Sequence, residues 1–387
     1  MFTALRFSVV AALATATCLT GSGPAAAQAQ GLSLPLHVEG NRVVDATGST
    51  VVLRGLQRDG TEGGPGSSGI AVTTDKLRWM TNGYAGSWQA SVIRVPVGAA
   101  QWTGACPSLA GDPTAYRAAI DTEVATITAA GAVALLDLHT STGGCSSIAR
   151  HAMPDTVASL PFWTDAARHY AGNGLVAFEL YNEPHWISDP VWLNGGTVQD
   201  CDPNPANAQA RLQLMVCQAK QPKYDAVGMQ RLYDVVSAAA PDHLIVVDGP
   251  SWGTGVPSVR VNAHHGELVY AVHPYSCPTP GAACDTTAQA KAAMTVLRSW
   301  RPLAATAPVF ASELGWPSRP TPSTYVDGAQ FYAESLAFFA QQSPAWGFVA
   351  FAFDGSTTGA FSLYDDRTSY LPNSTGLPVY AALRAAA

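Results

Sequence analysis

Two glutamates carry the chemistry that this sequence offers most directly. Glu183 stands in Leu180-Tyr-Asn-Glu-Pro-His and Glu313 in Ala311-Ser-Glu-Leu-Gly-Trp, and each follows a short apolar run. Two carboxyl groups brought to one cleft are what hydrolysis of a glycosidic bond needs: one protonates the departing oxygen, and the other attacks the anomeric carbon or activates water. A single glutamate at such a place could equally cap a helix or pair with an arginine. Five further polar residues end or follow apolar runs in the same way, namely Arg94, His139, Asn182, His273 and Tyr275. No Cys-x-x-Cys or His-Glu-x-x-His spacing occurs, so neither a metal nor a cofactor is expected.

Eight Val-, Ala- and Leu-rich runs must position these groups, at about 51–55, 91–96, 132–138, 175–181, 243–248, 268–272, 308–312 and 347–352. They read as strands buried on both faces, because apolar residues fill them without alternation. Helical segments alternate with them at about 72–88, 114–130, 156–171, 222–240, 287–302 and 325–342, with a last one near 376–385. Only the link between the fifth and sixth runs lacks a helix. Such alternation predicts a parallel sheet, and eight repeats close into a (β/α)8 TIM barrel, whose functional groups sit at the C-terminal ends of the strands. Leu36–Asp45 and Ser49–Arg54 predict a short β-hairpin leading into the first strand. A doubly wound, nucleotide-binding sheet is disfavoured, since no glycine-rich phosphate loop follows the first strand.

The 387 residues carry a net charge of −7 on only 13% charged residues, which leaves no basic surface for nucleic acid. With 47% apolar residues and ten Trp, the chain can bury a large core. Arg6, the apolar run from Phe7 to about Leu19, and Ala25-Ala-Ala predict a secretory signal over 1–27, leaving 28–387 as one catalytic domain that is exported and not held in a membrane. Six cysteines remain beyond the signal, an even number that fits disulfides outside the cell. Proximity favours Cys201 with Cys217, Cys277 with Cys284 and Cys106 with Cys145, although other pairings stay open.

The ordered set VVLRGL, IRVPV, LDLH, LYNEPH, HPY and SELGW resembles glycoside hydrolase family 5, the cellulase family of retaining (β/α)8 glycosidases, over roughly 34–385. The resemblance implies Glu183 as general acid/base and Glu313 as nucleophile. It also implies Arg94 and Tyr275 beside Glu313, Asn182 at the sugar 2-hydroxyl, and His139 and His273 lining the subsite. The substrate it implies is a β-linked glucan, with endo-β-1,4-glucanase activity expected, β-mannanase or another β-glycosidase as the alternative, and a non-catalytic carbohydrate-binding barrel as the reading from another class. Two positions depart from the family pattern: Gln57 replaces the usual Asn of strand one, and Phe351 or Phe353 replaces the Trp that ends strand eight. Phe353 is therefore a candidate sugar contact.

Trp102, Trp186, Trp192, Trp252 and Trp316 all fall shortly after a strand, where flat rings would suit sugar faces; Trp186 and Trp316 are the substrate contacts expected among them. The stretch from His185 to about Gln221 reads as a long insertion before the next helix, lying over the cleft. Gly249-Pro-Ser-Trp-Gly matches a serine-hydrolase nucleophile elbow, but Thr254-Gly-Val-Pro after it breaks the helix that the elbow requires.

Overall fold

The computed structural model describes residues 31–58, 73–105, 112–141, 151–275, 286–316, 328–354 and 361–386, with the side chains of 286–292 outside the described set. The predicted signal, and the pairs Cys106–Cys145 and Cys277–Cys284, lie outside these residues.

A hairpin of β1 (His37–Glu39) and β2 (Arg42–Val44) leads into the first barrel strand, β3 (Arg54–Arg58). There follow β4 (Val92–Gly98), β5 (Val133–Thr140) and β6 (Val176–Glu179), then a separate antiparallel pair, β7 (Gly195–Val198) with β8 (Tyr224–Val227). The chain returns to the barrel with β9 (Ile245–Asp248), β10 (Leu268–Ala271), β11 (Val309–Leu314) and β12 (Gly347–Phe353). The eight barrel strands are parallel and closed in chain order, β12 pairing back onto β3. The link from β9 to β10 contains no helix, as the sequence predicts.

Short polar residues start the intervening helices by accepting a backbone N–H: Asp112 from Thr114 before Pro113–Ala129, and Asp155 from Ala158 before Thr156–Tyr170. Such a cap stabilises a helix by about 1 kcal/mol.

The period of two along each strand sorts the barrel interior into layers. Val92, Val133, Leu135, Ala177, Val246, Val269, Ala271, Phe310 and Val349 form one apolar cluster inside the barrel, closed below by Leu36 and the hairpin. Two residues further along the same strands the inward positions become polar: Arg94 after Val92, Asp137 and His139 after Leu135, Glu179 after Ala177, Asp248 after Val246, His273 after Ala271 and Ser312 after Phe310. A dry floor thus supports a charged upper layer, which the fold places at the mouth.

The insertion after Glu183 is more ordered than a loop. It contains the short helix Asp189–Asn194, the β7–β8 pair and the helix Ala208–Lys220, with Cys201 and Cys217 joined as a disulfide at a Cα separation of 5.9 Å. The helix expected over 222–240 begins only at Met229, because Tyr224–Val227 pairs as β8. Helix Ala208–Lys220 escapes pattern reading because it buries no residue; Leu212, Met215 and Val216 are exposed. No helix among the described residues is long and apolar enough to cross a membrane.

Candidate active site

Arg94 is the hub of the upper layer and is wholly buried. Its Nη1 donates to Glu313 Oε2 at 2.6 Å and to Gln57 Oε1 at 2.7 Å. Its Nε donates to Glu179 Oε2 at 2.6 Å, and Nη2 donates to Asn182 Oδ1 at 2.9 Å and lies 3.1 Å from Asp137 Oδ2. A planar guanidinium is suited to hold several acceptors in fixed directions. Gln57, the departure at strand one, thereby supports Arg94.

Glu313 also accepts a short hydrogen bond from the Tyr275 hydroxyl through Oε1. Burial alone would raise the Glu313 pKa, but Arg94, His273, His139 and the Tyr275 hydrogen bond outweigh it and hold this carboxyl below its ordinary range. Tyr275 is shifted well upward by burial and by the nearby Glu313 and Glu183, so the phenol keeps the proton that it donates.

Glu183 sits four residues after the end of β6, at φ +53°, a left-handed conformation that costs a non-glycine residue roughly 1–2 kcal/mol. Neighbouring bonds hold it there: Asn182 N–H donates to Leu138 O at 3.0 Å, Glu183 N–H to Asp248 Oδ2 at 2.9 Å, and His185 N–H to Ala152 O at 2.9 Å. The Glu183 side chain meets His273, with Oε1 3.2 Å from Nδ1. Although burial favours neutral imidazole, Asp248, Glu179 and Glu183 raise the His273 pKa well above its usual value. His139 Nδ1 lies 2.7 Å from Asp137 Oδ2.

Glu183, His273 and Glu313 bring one ligand-type atom each to within 4.8 Å of one another, as do Glu179, Asp248 and His273. Either set has the donor types of a metal centre. The same atoms lie within hydrogen-bonding reach around His273, its Nδ1 3.2 Å from Glu183 Oε1 and its Nε2 3.3 Å from Asp248 Oδ2.

The structure brings Arg94, His139, Asn182, Glu183, His273, Tyr275 and Glu313 together. Trp186 stands at the lip at φ +56°, edge-on to Trp252, with centroids 5.6 Å apart; Trp252 stacks on His185 at 4.6 Å. Two expected contacts, Phe353 and Trp316, are buried away from the cleft surface, as is the insertion's Trp192. Phe353 is fully buried, packed against Trp88, Tyr364 and Tyr370; Phe351, partly exposed and edge-on to Tyr275, is the β12 ring beside the carboxylates. Residues two apart on a regular strand face the same way, but the irregularity of β12 between Ala350 and Phe353 breaks that alternation, so the two rings take different surroundings. Trp316 is 3% exposed and lies against Phe331, and Trp192 is fully buried, its indole N–H donating to Asp248 O. Trp102 is likewise buried, bonded to Asp165. Ser251 is exposed in a turn that no helix follows, so it has no nucleophile elbow.

Sequence reading missed Asp137, Glu179 and Asp248. The signal was present: Asp137 and Glu179 are acids inside otherwise apolar runs and Asp248 ends one, and Asp137 precedes His139 by two residues, hence on the same strand face.

Comparison with known proteins agrees with this geometry. The chain is similar to Endoglucanase Z of Dickeya dadantii (strain 3937), 22% identical over 228 residues, which are 54% of this chain and 42% of that protein. The chain thus spans less than half the length of that relative. Its fold is similar to that of a β-glucanase from Saccharophagus degradans solved with cellotetraose, with TM-score 0.63 and 19% identity over 91% of this chain and 93% of the other. The catalytic domain of the major endoglucanase from Xanthomonas campestris pv. campestris superposes with TM-score 0.62 and 16% identity, covering 90% of this chain and 99% of that one. The family described as cellulase (glycosyl hydrolase family 5) matches residues 44–349, most of the barrel, and the chain belongs to that family of glycoside hydrolases.

Proposed function

We propose that the protein is a secreted, retaining endo-β-1,4-glucanase that works by double displacement. The observation that carries the reading is the approach of Glu183 and Glu313, whose carboxylate oxygens lie within 4.8 Å at the barrel mouth. Carboxyl groups of retaining glycosidases stand roughly 5–5.5 Å apart, whereas inverting enzymes need about 6.5–9.5 Å to admit a water. The endoglucanase relatives favour a β-glucan, and the signal-like leader with six later cysteines favours export.

In the first half-reaction Glu313, kept ionised by Arg94 and Tyr275, attacks the anomeric carbon as Glu183 protonates the departing oxygen. The C–O bond to the leaving sugar breaks and a glycosyl ester to Glu313 forms. In the second, Glu183 takes a proton from water, whose oxygen displaces Glu313 and restores the starting charge state. Asn182 Nδ2 is buried without a protein partner among the described residues and is free to donate to the sugar 2-hydroxyl, a contact that strengthens as positive charge develops on the ring.

Phe351 in place of the wider indole offers a smaller stacking face beside Tyr275, so β-mannan is retained as the alternative substrate. Reducing-sugar release from soluble β-1,4-glucan, mannan and xylan tests the choice. The glucan should be hydrolysed fastest, and Glu313→Ala should abolish turnover. Preference for mannan would replace the glucanase reading, and full activity of Glu313→Ala would overturn the mechanism.

A further inference from the structure

Asp248 ends β9 beneath the acid/base and is fully buried. Its Oδ2 accepts the backbone N–H of Glu183 at 2.9 Å and lies 3.3 Å from His273 Nε2. The other oxygen, Oδ1, has no hydrogen-bond partner when treated as an acceptor, and neither has Glu179 Oε1. The two carboxyls belong to one buried group with His273, an oxygen of each lying within 4.8 Å of the other. Two acceptor-only oxygens cannot bond each other, and two carboxylates in contact inside a dry barrel cannot both stay ionised. One proton between them resolves both conflicts. Glu179 is the ionised member, since its Oε2 accepts from Arg94 Nε at 2.6 Å; Asp248 therefore carries the proton.

We propose that Asp248 is a positioning residue for the acid/base: a neutral carboxylic acid that donates to Glu179 through Oδ1 and fixes Glu183 in its left-handed backbone conformation through Oδ2. Burial agrees with this protonation, raising the Asp248 carboxyl well above its ordinary range while Arg94 and hydrogen bonds keep Glu179 low. The arrangement ties the acid/base to Arg94, and through it to Glu313, by hydrogen bonds alone: Glu183 N–H to Asp248, Asp248 to Glu179, Glu179 to Arg94. Trp192 braces the same residue from outside by donating to its carbonyl at 2.9 Å. The inference rests on the reading of Glu183 as acid/base.

That role gives a leaving-group signature. A misplaced acid slows loss of a sugar alkoxide, which must be protonated, far more than loss of 2,4-dinitrophenolate, which need not be. Asp248→Ala is expected to lower kcat/KM on cellotetraose by about tenfold to a hundredfold and on 2,4-dinitrophenyl β-cellobioside only slightly. Asp248→Asn keeps both hydrogen bonds, with Nδ2 as donor and Oδ1 as acceptor, and should recover most of that loss. In the infrared, the difference between the parent and Asp248→Asn should contain the C=O band of one protonated carboxylic acid, over and above that of the acid Glu183, a measurement that stands even if Asp248→Ala does not fold. Equal losses on the two substrates, an Asn variant as impaired as the Ala variant, or a parent-minus-Asn difference without a carboxylic-acid band would each overturn the inference. Glu183→Gln is the control for the underlying reading: if it hydrolyses cellotetraose normally, Glu183 is not the acid/base, whatever Asp248 does.

Discussion

Arg94 and Tyr275 set the charge of Glu313, and the effect of removing either is a matter of sign. Both favour the ionised carboxylate, Arg94 by charge and Tyr275 by hydrogen bonding. As pH falls through the lowered Glu313 pKa the nucleophile is protonated and kcat/KM drops. Tyr275→Phe removes a donor to the charged form, so the Glu313 pKa rises and activity is lost at a higher pH than in the parent. The acid limb should therefore move to higher pH, because the lost hydrogen bond stabilised only the charged form. The pH profile of kcat/KM checks it; an unmoved acid limb would assign that limb to another group. At this scale the sequence was readable where a polar residue follows an apolar run, as at Glu183, His273 and Glu313. It was less readable where the polar residue lies within the run or is its last residue, as at Asp137, Glu179 and Asp248, because the eye reads such a run as core.

The insertion after Glu183 is the element that pattern reading describes least well. Its order comes from a disulfide, from the β7–β8 pair and from Asp200, which accepts from Ala152 N–H at 2.7 Å and from Tyr224 at 2.9 Å. None of these is a periodic apolar stripe, so no helical or strand period marked them in advance. The structure separates the roles of its two tryptophans. Trp192 is buried and braces Asp248, so Trp192→Ala should destabilise the fold by about 3–5 kcal/mol and depress activity on every substrate. Trp186 stands partly exposed at the lip with Trp252; Trp186→Ala should leave the melting temperature almost unchanged and weaken kcat/KM on long glucans more than on a short aryl glycoside. Thermal unfolding beside kinetics on both substrates checks the contrast. Stability loss at Trp186 with none at Trp192 would reverse it.

Across the whole molecule, polarity is arranged along the barrel axis. Apolar layers fill the floor from Leu36 to Val246, and ionisable side chains crowd the mouth, where Arg94 and His273 are set against carboxylates. The barrel itself was legible because eight apolar runs separated by helices leave few other ways to bury both faces of every strand. The rings beside the carboxylates were not, since a register shift in β12 decides between Phe351 and Phe353, and such a shift leaves no mark in composition. The same axial arrangement sets Glu313, at the end of β11, against the buried guanidinium of Arg94, which helps to keep it ionised as the nucleophile. Incubation with a 2-deoxy-2-fluoro-β-cellobioside bearing a good leaving group, followed by peptide mass mapping, tests the double displacement most directly. One glycosyl group should be found on the peptide that contains Glu313 and none on Glu313→Ala; a label on Glu183, or hydrolysis through an inverted product with no labelled enzyme, would contradict the account.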